Sequence, residues 1–115
     1  MKTVSERPSF QGGVMLRRIA KMPEGEFVEV KPQNGRLIVE HSETGHHHVI
    51  ENSRAAQLLI NKTNALFGVL KVAEACELRH LRDFDTHGPF MLERGLYEVR
   101  HKREFGPEGW RRDIE

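Results

Sequence analysis

Apolar residues along this chain fall in short runs separated by turn-forming residues, with no sustained helical stripe through its first half. Runs over 14–19, 27–30, 37–39 and 49–50 are of strand length. The breaks between them hold Pro23-Glu24-Gly25, Pro32-Gln33-Asn34-Gly35 and Ser42-Glu43-Thr44-Gly45, residues that favour turns because they set or tolerate unusual φ or bond their own backbone. Asn34-Gly35 between two apolar runs predicts a tight hairpin, since both residues accept the positive φ of primed turns. The first half therefore reads as a β meander.

The stretch 54–80 supports two readings. Ala55, Leu59, Leu66, Val69, Ala73 and Cys76 approximate a helical stripe broken at Lys62. Against it, Asn61-Lys62-Thr63-Asn64 sets turn formers between two apolar runs, and Gly68 follows. A hairpin is preferred, with one short helix near 53–60, N-capped by Ser53, as the alternative. Residues 97–105 alternate with period two: Tyr97, Val99, His101, Arg103 and Phe105 share one face, so a central or long strand is expected. Residues 110–115 follow Gly106-Pro107-Glu108-Gly109 and suit a short turn folding back. At the other end, 1–13 hold Pro8, Gly12, Gly13 and one large apolar residue, Phe10, which predicts a flexible N-terminal arm. About eight short strands over 14–115, with no internal repeat or linker, predict an all-β single domain: a small β-barrel or β-sandwich.

Composition narrows the function classes. Apolar residues make up 37% and charged residues 30%, which suits a globular domain with no role in a membrane. Eighteen Lys and Arg against seventeen Asp and Glu leave a formal charge of +1, so no global field gathers nucleic acid. One cysteine, Cys76, excludes an internal disulfide, and the first residues lack the apolar core of a secretory signal; the expected location is cytoplasmic. Seven histidines are the compositional anomaly.

Three of them are consecutive, in Gly45-His46-His47-His48. On a strand, His46 and His48 would project to one face, the geometry of a two-imidazole chelate. Asp85-Thr86-His87 repeats the spacing with a carboxylate and an imidazole. Brought together, the two doublets would supply three nitrogens and one oxygen, which suits a transition metal such as Zn, Fe(II), Ni or Cu. His80, His101 and Glu51 are spare candidates. The competing reading is a set of solvated surface histidines, because no matching cysteine pair accompanies them.

Two resemblances bear on this. Cupins also carry His-x-His on a strand of a small double-sheet barrel, but Glu51 follows His48 too closely for their pattern and their second motif is missing, so the likeness is architectural. Thr44-Gly45-His46-His47-His48, His87-Gly88-Pro89-Phe90, Gly95-Leu96-Tyr97-Glu98-Val99 and Arg103-Glu104-Phe105-Gly106-Pro107 stand in an order that resembles small uncharacterised proteins of bacteria and their phages. That resemblance implies a β-rich fold, flags His46, His48 and His87, and carries no activity. Phe84 occupies a position where a common form of the pattern has another histidine; His80 stands in for it, or the site is degenerate.

Two further features are weighed. Arg94, Arg100, Lys102, Arg103, Arg111 and Arg112, interleaved with Tyr97, Phe105 and Trp110, could follow a nucleic-acid backbone while an aromatic stacks on a base. Arg and Glu facing one another on a solvated sheet explain the same composition more simply. Cys76 and His80 would form a nucleophile and base only on a helix; on a strand they stand about 13 Å apart at ~3.3 Å per residue. The leading expectation is a histidine-based metal site at His46, His48 and His87 completed by Asp85 or His80. The alternatives are a non-catalytic protein that binds or inhibits a host or phage protein, and nucleic-acid binding through Arg100, Lys102, Arg103, Arg111 and Arg112. Exposed edge strands would allow a homodimer.

Overall fold

A computed structural model describes residues 2–40, 47–80 and 88–101. Among the described residues eleven strands run in chain order: β1 (Lys2–Thr3), β2 (Ser9–Gln11), β3 (Val14–Ile19), β4 (Phe27–Val30), β5 (Leu37–Glu40), β6 (His48–Ile50), β7 (Ala56–Asn61), β8 (Phe67–Val72), β9 (Cys76–His80), β10 (Phe90–Leu92) and β11 (Gly95–His101). They form a five-stranded sheet, β1-β10-β9-β6-β5, and a six-stranded sheet, β2-β3-β11-β8-β7-β4. The sheets pack face to face as a sandwich and do not close into a barrel, and no helix occurs among the described residues.

Alternation decides which side chains enter the core. Val14 and Leu16 of β3, Leu58 of β7, Leu70 of β8, and Tyr97 and Val99 of β11 are all at most 1% exposed and meet Leu37, Ile50, Leu78 and Leu92 of the other sheet. Burial on this scale, at roughly 25 cal/mol per Å² of apolar surface, drives the stacking. β11 lies between β3 and β8, as a long strand with one apolar face should.

The 54–80 stretch is the preferred hairpin: β7 pairs with β8 from Ala56↔Val72 to Ile60↔Gly68. Asn61 Oδ1 accepts bonds from the amides of Thr63 and Asn64 at 3.0 and 2.9 Å, and Asn64 Oδ1 accepts from the Leu66 amide at 3.1 Å, so the turn formers named above close the loop. The short helix near 53–60 is not formed; from Ala56 that stretch is strand. Gly68 is there for space, because a Cβ would stand 2.8 Å from the Leu59 carbonyl oxygen.

Two expectations are corrected. Asn34 and Gly35 do adopt φ of 52° and 78°, and Gln33 and Arg36 exchange backbone bonds of 2.8 and 2.9 Å across them. The flanking strands nevertheless diverge: β4 pairs with β7 and β5 with β6, in opposite sheets. From the five-stranded sheet Leu37 and Val39 enter the core shared by both sheets, so the tight turn serves a crossing and the meander is absent. Residues 2–11, expected as a loose arm, pair with both sheets. β1 runs parallel to β10, β2 antiparallel to β3, and Val4 is 1% exposed. Gly12-Gly13 make the two-residue turn between Gln11 and Val14, with Gly12 at φ 57°.

The connectivity repeats although the sequence does not. β4 to β7 and β8 to β11 each start in the six-stranded sheet, cross to the other, turn back and return. In consequence the crossings 31–36, 51–55, 73–75 and 93–94 gather at one pole. The strand ends that lead into 41–46 and 81–87 meet at the other, where His48 pairs with His80.

A histidine-rich pole as candidate functional site

His48 opens β6 at this pole and is 3% exposed. Its Nδ1 lies 2.8 Å from Oε1 of Gln11, itself 3% exposed. Gln11 Nε2 donates to the Leu78 carbonyl at 3.0 Å, which commits the amide nitrogen and turns its oxygen to the imidazole. Oε1 can only accept, so Nδ1 of His48 is the protonated nitrogen. Nε2 then faces Glu40, 3.4 Å from Oε2. The other oxygen of Glu40 lies 3.3 Å from Nδ1 of His101, so one carboxylate joins β6 of one sheet to β11 of the other.

Glu40 reaches this position through an irregularity. Ile38 pairs with Val49 and Glu40 with His48, so β5 advances two residues while β6 advances one, and the extra residue at Val39 turns Glu40 toward the histidine. Simple alternation would have grouped Glu40 with Ile38. Glu40 and Gln11 are thus the partners that sequence reasoning missed. Gln11 lay hidden in the supposed arm, where the Gly12-Gly13 turn signal was its only clue.

All seven histidines belong to this pole or to the chain that leaves it. His47, His48, His80 and His101 stand at strand ends here, and His41, His46 and His87 fall within 41–46 and 81–87. His46, Asp85 and His87 lie outside the described residues, and His80 is placed by its register opposite His48. Among the described residues no group of three or more His, Cys, Asp or Glu is arranged to hold a metal ion. Glu51 lies past the far end of β6, where it pairs with Arg36 at 2.9 Å.

Residues 10–102 match a domain of unknown function, DUF8820. The chain belongs to that family. No curated protein and no solved structure matches it. The DUF8820 match takes in both histidine segments and the Gly95-Leu96-Tyr97-Glu98-Val99 stretch, and ends before Arg103.

The other candidates resolve differently. Cys76 and His80 sit at opposite ends of the extended β9, and burial pushes the Cys76 thiol up to about 11, so no nucleophile and base pair forms. Of the basic strip, Lys102, Arg103, Arg111 and Arg112 lie outside the described residues. Arg100 donates to Glu98 Oε2 at 2.7 Å and covers the Phe67 ring at 4.3 Å. Arg17 binds the other oxygen of Glu98. Burial would raise the Glu98 carboxyl, but the two guanidinium groups outweigh it and hold it below the usual carboxylate range. Glu98 thus ties β11 to β3 on the outer face of the six-stranded sheet.

Proposed function

We propose that this DUF8820 domain is a small β-sandwich whose histidine-rich pole holds a transition-metal ion. One observation carries the reading: four of the seven histidines stand at one pole, and the other three belong to the sequence segments 41–46 and 81–87 that follow its strand ends. A random scatter of seven surface histidines would not respect that division. His48 Nε2 and Glu40 Oε2, 3.4 Å apart, have the spacing of neighbouring ligands, since donors ~2.0–2.1 Å from a tetrahedral ion stand about 3.3 Å from each other. Imidazole nitrogen with carboxylate oxygen suits Zn, Fe(II) or Ni. The remaining ligands in this reading are His46 and His87, with Asp85 or His80. Gln11 and the Leu78 carbonyl hold the ring of His48 in one orientation, the outer support that metal-bound histidines have. A bound ion with an open position would activate water or take a small oxyanion; a closed one would staple the two histidine segments together.

The test is metal content of tag-free protein purified without chelator, measured by inductively coupled plasma mass spectrometry. About one equivalent per chain is expected. In a His46→Ala/His87→Ala variant it should drop to background with the far-UV spectrum unchanged. His48 is unsuited to this test because it is buried and bonded. Protein that stays blank after soaking with Zn, Ni and Fe(II) would overturn the reading. It would also bring forward the non-catalytic partner-binding role, which the 68% exposure of Phe10 on edge strand β2 favours.

A further inference from the structure

The opposite pole carries a different kind of chemistry. A cavity of about 400 Å³ opens there, lined by three cationic side chains, Arg54, Lys71 and Arg94, and no acidic one. Leu96 supplies an apolar patch and Gln57 an amide beside Lys71 on the outer face of the sheet, while the core residues Ala56 and Val72 touch the cavity only at its edge. Among the described residues none of the three cations has an ion-pair partner, whereas Arg17, Arg36 and Arg100 each do. The chain as a whole carries only +1, so this is a local concentration of charge and not part of a general basic surface.

Topology explains the convergence. Arg54 is the penultimate residue of the crossing from β6 to β7, and Arg94 ends the corresponding crossing from β10 to β11. Ala56 and Gly95 pair with Val72 from either side of β8, so the two arginines flank the strand that presents Lys71. Two strand spacings, ~4.8 Å each, set their backbones on the order of 10 Å apart. Both crossings are held firmly. Asn52 Oδ1 accepts from the Arg54 amide at 3.1 Å, and the amides of Ala73 and Glu74 bond the Ala55 carbonyl at 2.7 and 3.2 Å. On the other side Arg18 donates to the Arg94 carbonyl at 2.6 Å, and the Tyr97 hydroxyl donates to the Glu93 carbonyl at 2.6 Å. The backbone that displays the cations is therefore ordered in advance, which lowers the entropic cost of capturing a ligand.

We propose that this cavity binds a small phosphate-bearing ligand, with Arg54 and Arg94 clamping the phosphate, Lys71 between them, and the ligand's apolar body against Leu96. Guanidinium forks match phosphate oxygens bidentately, and a phosphate dianion matches a site with three positive charges better than a carboxylate does.

The probe is phenyl phosphate, titrated into isotopically labelled protein at low ionic strength and followed by amide chemical shifts. Saturable shifts at Gln57, Lys71, Ala73 and Leu96 are expected, with benzoate at least tenfold weaker. The side chains of Arg54 and Arg94 are exposed and make no bond within the described fold, so Arg54→Ala/Arg94→Ala should keep the spectrum and lose at least tenfold in affinity. The His46→Ala/His87→Ala variant should bind as the wild type does, which separates this site from the histidine pole. Shifts that rise linearly without saturating, benzoate that binds as well as phenyl phosphate, or an arginine variant with unchanged affinity would each overturn the proposal.

Discussion

The two poles of this sandwich are made by the same connectivity and hold opposite kinds of polar group. At the histidine pole the groups are buried and mutually engaged: His48, Gln11 and the Leu78 carbonyl form a continuous relay, and Glu40 links that relay to His101. At the arginine pole they are exposed, and the ordering lies in the backbone beneath them. β11 spans both, with Gly95 lining the cavity and His101 reaching Glu40, about 20 Å apart at ~3.3 Å per residue. The comparison teaches that order can be achieved either by satisfying the side chain itself or by fixing the main chain that carries it. Only the first makes the side chain part of the folding free energy.

Mutations can break that contrast. His48→Ala should have the largest effect, about 2–4 kcal/mol, because it opens a buried void and strands Gln11 Oε1 away from water; chemical denaturation reads it directly. Gln11→Ala should cost about 1–3 kcal/mol, since it unpairs Nδ1 of His48 and the Leu78 carbonyl together. The matching change at the other pole, Arg54→Ala/Arg94→Ala, should stay within about 0.5 kcal/mol of wild type on the same assay. Equal losses at the two poles would erase the distinction.

Glu98 gives an intermediate case, buried on a sheet face and paired at both oxygens. Its carboxyl is held below the ordinary value of 4.5 in the fold, so its contribution is present above that pH and is lost as pH falls through the lowered folded value. Stability measured from pH 6 to pH 3 should decline more steeply for wild type than for Glu98→Gln. Parallel profiles would show that the Arg17 and Arg100 pairs contribute nothing to folding.

What could be read from the sequence was what local chemistry determines. The β7–β8 hairpin followed from Asn61 and Asn64, β11 from its alternation, and the turn at 33–36 from Asn34-Gly35. Three features escaped because distant partners decide them. The 33–36 turn looks the same whether its strands pair or part, and only the apolar needs of Leu37 and Val39 chose the second. Residues 2–11 have too little apolar surface to announce a strand, yet they find partners in nearby Leu16 and in Met91 far along the chain. Glu40 owes its place to a single extra residue in β5. The histidine count was visible at once, but the gathering of His47, His48, His80 and His101 at one pole depends on the order of strands in the sheets, which no local pattern encodes.

The pairing of Lys2 and Thr3 with Phe90 and Met91 also says something about time. The two arched units, Phe27–Asn61 and Phe67–His101, are equal in span, and the widest pairing inside each, Phe27↔Asn61 and Phe67↔Arg100, closes far less chain than Lys2↔Phe90 does. β1 can dock only once β10 is in place, and it must close nearly the whole chain into a loop to do so, at a large entropic cost for a two-residue ladder. That makes the segment a latch thrown last. In native-state hydrogen exchange the Val4 amide, bonded to the Met91 carbonyl at 3.0 Å, should open by small fluctuations long before the amides of β8 and β11.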